Sequence, residues 1–359
     1  MHISYLSRVA VATLTVCSAA SVNAQSSVQL YGRVDMAVEY QKLGGHSVSG
    51  VQSNGSFIGL RAQEDLGAGL KAGMVLEADI NADTGAGRSV WGDDEGLSFR
   101  RHSEVYLSSS VATLRLGAFK PASYEATAQA IQWHTDAGTA LSDGFAYPDK
   151  PRGNVLAVRS APLGGWTGEL QYAFGEKKVL DGGSLKRRGE VDAALHYAQG
   201  PWGLGLGYNL YRNKDAVFGD TNRDATYSAR ASYDNGTWAL GAYYQQNKAT
   251  TNWVNYGHSD SHSKVLRVAA KYVQGASEWH ASIGRRTGHA HYEDATVSER
   301  FGLGATEWMV GYHHNLSRRS KLYVQYGHQD LLNMYSMPSL WMGSIDHFRV
   351  LSVGLRHQF

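Results

Sequence analysis

What most narrows the folds open to this chain is an alternation of apolar and polar residues with period two, repeated in segments of about ten residues. In Val28–Tyr40 the even positions Val28, Leu30, Val34, Met36 and Val38 are apolar, while Gln29, Arg33, Asp35 and Glu39 fall on odd ones. Successive side chains of a strand point to opposite faces, so each such segment has one oily and one wet face. The pattern returns in Leu70–Ile80, Trp166–Phe174, Trp202–Leu210, Leu266–Tyr272 and Leu351–Phe359. About ten residues is the length a tilted strand needs to cross the hydrocarbon layer. Beyond residue 24 no apolar run approaches the roughly twenty residues of a membrane-spanning helix.

The connections alternate too. Short turns rich in Gly, Asn, Asp and Pro, such as Leu66–Gly69, Pro162–Gly165, Gln199–Trp202, Asp234–Thr237, Gln274–Ser277 and Asn315–Ser320, use tight-hairpin chemistry. Between them lie longer polar stretches near 41–54, 83–97, 120–151, 176–188, 213–223, 248–262, 288–304 and 330–345, giving sixteen strands, seven short turns and eight long loops. A soluble sandwich has no reason to shorten every second connection, whereas a membrane barrel keeps turns on one side and loops on the other. Open backbone groups are not tolerated in lipid, so the sheet must close on itself. Trp166, Trp202, Trp238, Trp279 and Trp308 each read as opening a strand after a short turn, an aromatic girdle at one interface. The expected fold class is therefore all-β: a 16-stranded antiparallel transmembrane β-barrel.

Residues 1–24 combine Arg8, an apolar stretch from Val9 to Val22 and the small-residue ending Val22-Asn23-Ala24, the layout of a secretory signal peptide cleaved before Gln25. The expected organisation is a signal peptide over 1–24 and one barrel over 25–359. The single cysteine, Cys17, lies within the leader behind Val16, where a lipoprotein site would want a small residue. The mature chain therefore has no thiol and must hold together without disulfides. A net charge of +2 argues against a nucleic-acid surface.

No Gly-x-Ser-x-Gly elbow, His-Glu-x-x-His pair, Walker loop or dinucleotide fingerprint occurs, and no enzyme activity and no cofactor is expected. Gly203-Leu-Gly-Leu-Gly207 lacks dinucleotide-loop spacing, and its small residues read as keeping one strand face slim. Fifteen histidines invite a metal reading, above all His289-Ala-His291 with Glu293 and Asp294, or His313-His314. Neither offers a third spaced ligand, so no metal site is expected. The adjacent acids Asp93 and Asp94 keep open a less favoured reading as an outer-membrane barrel enzyme, and the loops one as an adhesin.

Four segments resemble the Gram-negative general porins, particularly those of β-proteobacteria: Ser27-Val-Gln-Leu-Tyr-Gly-Arg-Val-Asp35, Gly59-Leu-Arg-Ala-Gln-Glu-Asp-Leu-Gly-Ala-Gly-Leu-Lys-Ala72, Ala112-Thr-Leu-Arg-Leu-Gly117 and the terminal Phe359. The resemblance covers the whole mature chain. It implies an outer-membrane homotrimer, exported through the periplasm and bathed in outer-membrane lipids and lipopolysaccharide. Each subunit would be a passive, water-filled channel for small hydrophilic solutes and ions, narrowed by an inward-folded third loop. Phe359 looks like the signal read by the barrel assembly machinery. In the family, acids on the third loop face arginines on the wall and set a transverse field. By that likeness Arg101 and Arg152 are wall arginines, Arg33 and Arg61 lie on lumen-facing positions, and the loop from Lys120 to Pro151 contributes Glu125, Asp136, Asp143 and Asp149 against Lys120 and Lys150. Two departures stand out: Ser56-Phe57-Ile58-Gly59 carries Phe57 where an arginine is usual, and Gly117-Ala-Phe-Lys120 replaces Gly-Arg. They imply an eyelet less positive than usual and partly aromatic, which would suit a substrate-selective porin.

Overall fold

The computed structural model describes residues 27–88, 94–131, 151–175, 187–214, 221–253, 257–330 and 347–359. Sixteen antiparallel strands close into a barrel, as the alternation requires. The first eight are β1 (Ser27–Leu43), β2 (His46–Ser53 and Phe57–Gly67), β3 (Leu70–Asn81), β4 (His102–Ser108), β5 (Ala112–Phe119), β6 (Arg152–Ser160), β7 (Trp166–Phe174) and β8 (Arg187–Gln199). The rest are β9 (Trp202–Lys214), β10 (Thr221–Asp234), β11 (Trp238–Trp253), β12 (Gly257–Gln274), β13 (Ser277–Glu293), β14 (Ser298–Gly302 and Ala305–Asn315), β15 (Ser320–Asp330) and β16 (His347–Gln358). A short helix, α1 (Ala122–Ala126), follows β5.

Closure joins β1 to β16, with Arg33 opposite Gln358 and Leu43 opposite Phe348. Terminal Phe359 completes the ladder: its amide donates to Gly32 O at 3.1 Å, and Gly32 N donates to Phe359 O at 3.2 Å. With no open edge, every strand can sit in lipid. The outward face presents Leu30, Val34, Leu170, Leu206, Leu266 and Val353, all exposed, whereas Asp35, Glu39, Glu169, Arg267 and Ser352 on the inward face are buried. A water-filled, polar interior is the physical consequence.

Two expectations need correction. Of the eight long loops, 41–54 is mostly strand, with β1 running to Leu43 and β2 resuming at His46. Likewise β11 reaches Trp253, β12 begins at Gly257 and β13 continues to Glu293. Above the apolar band both strand faces are wet, so hydropathy alternation fades while backbone pairing continues. The aromatic girdle at the turn end holds four of the five tryptophans, each against a tyrosine: Trp166 with Tyr197, Trp202 with Tyr233, Trp238 with Tyr272, and Trp279 with Tyr312. Trp308 belongs to a strand that descends toward its short turn, and it packs higher up on Tyr326 and His328.

Candidate functional site

The interior is narrowed by the chain that follows β5. Residues 122–131 lie along the inner wall, where Tyr124, Ala128 and Ile131 pack on Tyr243, Val265 and Ala305 of β11, β12 and β14. Ser123 donates its amide (2.8 Å) and its hydroxyl to the buried carboxylate of Asp192, and Thr127 Oγ1 donates to Ser228 Oγ at 3.1 Å. Glycines make this approach possible: a Cβ on Gly205 would stand 2.0 Å from Ala126 O. The slim face expected for Gly203–Gly207 is the seat of the inward-folded segment.

Opposite lies a cluster built by β1 to β4. Phe57 and Arg33 are cross-strand partners, so both face inward. The Arg33 guanidinium carbon lies 5.6 Å and that of Arg101 4.3 Å from the Phe57 ring centre, and Tyr31 meets the ring edge-on at 6.1 Å. Arg101 donates to Glu77 at 2.9 Å and to Asp79 at 2.8 Å, while Arg33 donates to Gly55 O. The cluster thus replaces a third cation with an aromatic face on which two cations rest. Arg61 touches only its edge, with its guanidinium carbon 5.2 Å from the Tyr31 ring centre. Four residues nearer the turn end, roughly 13 Å along the strand, it is exposed and bound to Gln29.

Arg152 also faces inward, held by Glu190 at 2.7 Å. Strict alternation would not put it there. Asn154 adopts a left-handed φ of 55°, and the β5–β6 register shifts between Gly117 and Phe119. Glu125 of α1 pairs with Arg159 at 3.2 Å. Asp136, Asp143 and Asp149 lie outside the described residues.

Arg115 and Arg159 are among the wall arginines that sequence reasoning does not single out. Arg115 bridges Glu104 and Glu169, each at 2.7 Å, and Arg159 bridges Glu169 and Glu125. The signal was present, since Arg115 sits between the outward-facing Leu114 and Leu116. In these ion pairs carboxylates outnumber guanidiniums, so this part of the wall is internally compensated rather than a bare positive ladder.

The family profile described as Gram-negative porin matches residues 9–333. The chain belongs to the Gram-negative porin family. Outer membrane porin protein 32 of Delftia acidovorans is 34% identical over 187 residues, covering 48% of this chain and 51% of that one. Major outer membrane protein P.IA of Neisseria meningitidis serogroup C is 30% identical over 189 residues, 45% of each chain. The matches thus span about half the length of these curated relatives. Among solved structures, the anion-selective porin from Comamonas acidovorans superposes with a TM-score of 0.66 at 25% identity, covering 93% of this chain and all of the other. Like its relatives, this porin is an outer-membrane protein.

One consequence concerns acid. Burial, reinforced by Glu169, pushes the Glu125 carboxyl above the usual glutamate range, although Arg159 and Arg115 pull it down. Acidification should therefore neutralise Glu125 before ordinary glutamates, in a window above about pH 4.3, and leave Arg159 less compensated. Reversal potentials in a salt gradient should drift toward anion preference across that window. Glu125→Gln should start nearer the drifted value and remove that step.

Proposed function

We propose that this porin is a passive, water-filled diffusion channel for small hydrophilic solutes and ions, and not an enzyme. The observation that carries the reading is a closed barrel, lined by ion pairs and narrowed from within by residues 122–131 seated on β8 to β12. Such a passage sorts by size, hydration and fixed charge. The chain is exported with loss of residues 1–24 and inserted by the barrel assembly machinery through Phe359. It then works as a homotrimer among outer-membrane lipids and lipopolysaccharide. Arg33, Arg101 and Arg152, with Arg61 nearer the periplasmic mouth, make the basic lining, and Glu125, Asp136 and Asp143 the acids of the third loop. The related Comamonas porin is described as anion-selective. Here Glu77, Asp79 and Glu190 neutralise Arg101 and Arg152 within the wall, so anion preference is weaker.

The test is planar-bilayer recording of the refolded protein, with openings in steps of three expected. Phe57→Arg adds a cation beside Arg33 and Arg101. A unit charge some 5–10 Å from the ion path favours an anion and disfavours a cation by about 0.4–0.8 kcal/mol each even in water, so the anion-to-cation permeability ratio should rise roughly four- to fifteenfold. Unchanged conductance and selectivity would remove Phe57 from the eyelet. A substrate-selective channel is the second reading, favoured by the Phe57 and Tyr31 rings. Liposome swelling separates the two, because a general channel ranks sugars, amino acids and dicarboxylates by size alone.

A further inference from the structure

Adjacent residues of a strand point to opposite faces, so His313 and His314 cannot share one ion. The same rule puts Glu278 and His280 on one inward face of β13, with Trp279 turned to lipid. The cross-strand register then sets His313 directly opposite Glu278. We propose that Glu278, His280 and His313 form a binding site for a divalent transition-metal ion, with Zn²⁺ as the test ion, on the lumen wall near the turn end.

Their ligand atoms lie within 4.8 Å of one another, and this is the one such group among the described residues. Glu278 Oε2 stands 3.1 Å from His280 Nε2 and 3.9 Å from His313 Nδ1. Donors about 2.0–2.2 Å from a tetrahedral Zn²⁺ stand roughly 3.3–3.5 Å apart, between those two distances. Side-chain rotation within the 4.8 Å spread of the three ligand atoms closes the set. Two imidazoles and one carboxylate suit zinc, nickel or copper better than calcium or magnesium.

The surroundings are those of held ligands. Asn315 Nδ2 donates to Glu278 Oε1 at 2.7 Å, fixing the carboxylate. The amide of Gln325 faces His313 Nε2, and its Oε1 has no partner. Turned over, the amide accepts from His313 Nε2–H and leaves Nδ1 bare toward Glu278. His280 is 4% exposed, yet its Nδ1 has no hydrogen-bond partner. Glu278, with its side chain 20% exposed against 1% for His280, is where an ion arriving through the lumen makes contact.

One contact opposes binding. Lys321 Nζ lies 3.3 Å from His313 Nδ1 and contacts the nitrogen an ion needs. The metal must displace this ammonium, so Lys321 weakens the site.

The experiment is Zn²⁺ titration by calorimetry of the untagged, refolded full-length protein in detergent, with Co²⁺ absorption reporting a low-symmetry nitrogen and oxygen site. One ion per chain is expected. His280→Ala and His313→Ala should each weaken binding at least tenfold, and the outward-facing pair His289→Ala and His291→Ala should leave it intact. Lys321→Ala should tighten it severalfold, and that gain decides the matter if the histidine variants fail to fold. Absence of binding at millimolar Zn²⁺, survival of the site without His280 and His313, or no effect of Lys321→Ala would overturn the proposal. Binding is read directly, so a failure here is separate from any failure to conduct.

Discussion

Asp35→Ala is expected to destabilise the barrel by about 3–5 kcal/mol, the range for removing one partner from a buried ion pair. Asp35 is fully buried on the inward face of β1. It accepts from Tyr323 Oη of β15 at 2.7 Å and from Arg356 Nε of β16 at 2.5 Å. Asn54 extends the network, donating to Tyr323 Oη and to Glu39 Oε1 at 3.1 Å each, and Ser352 Oγ reaches Glu39 at 3.0 Å. These side chains cross the seam where the first strand meets the last, the pairing formed by the most distant parts of the chain. Removing the carboxylate leaves a buried cation and a phenol without their acceptor just where closure depends on contact across the whole sequence. Urea unfolding of the detergent-refolded protein, followed by loss of the heat-modifiable compact form, should show a lower midpoint. A cycle with Arg356→Gln measures the coupling, and a coupling energy within about 0.5 kcal/mol of zero, the additive range of uncoupled sites, would show that the seam does not rely on this pair.

That network also marks the division between what the sequence makes legible and what it does not. The faces are legible: Arg33, Asp35 and Glu39 take odd positions alternating with Val34, Met36 and Val38, and the structure turns them inward. Strand number and closure follow from the same period and from the alternation of short and long connections. Partners across strands are not legible, because register depends on where each hairpin turns. A residue such as Glu278 reads as solvated until the β13–β14 register sets it against His313. Arg152 is legible by likeness alone, since a left-handed Asn154 reverses the local phase. The outer halves of β11, β12 and β13 read as loops because hydropathy, unlike backbone pairing, loses its period beyond the membrane. Even Asp294, once a ligand candidate, caps the turn after β13: it accepts from Thr296 N, Thr296 Oγ1 and Val297 N, and these bonds hold its carboxyl at about 2.

The inner wall behaves as two materials. On the β1 to β7 side, ion pairs such as Arg101 with Glu77 and Arg115 with Glu104 fix guanidinium planes in place, so local fields are set by geometry rather than by mobile chains. On the β8 to β12 side glycine thins the wall where the folded-in segment is seated, and that side also carries buried charge, Arg230 and Arg267, with Arg267 paired to Glu307 of β14. Width therefore depends on the second side, whereas both sides contribute to the charge pattern.

Gly205→Val tests that separation and should have the largest effect on conduction. Even the first carbon of the new side chain would meet Ala126 O at 2.0 Å and Ala126 C at 2.9 Å, both backbone atoms. The segment must lift, and the Ser123–Asp192 pair of hydrogen bonds and the Thr127–Ser228 contact go with it. Bonds to a charged acceptor are each worth about 1.5–3 kcal/mol, so the two to Asp192 alone put about 3–6 kcal/mol of anchoring at risk. Single-channel current should become larger or noisier, and residues 120–131 should gain protease sensitivity, while the strand signal in circular dichroism is kept. Gly168→Val is the control, since a Cβ there meets nothing closer than 4.0 Å. If the two variants conduct alike, residues 122–131 do not set the width of the passage; if only Gly205→Val changes, the glycine face of β9 is what lets a sixteen-stranded barrel carry its own constriction.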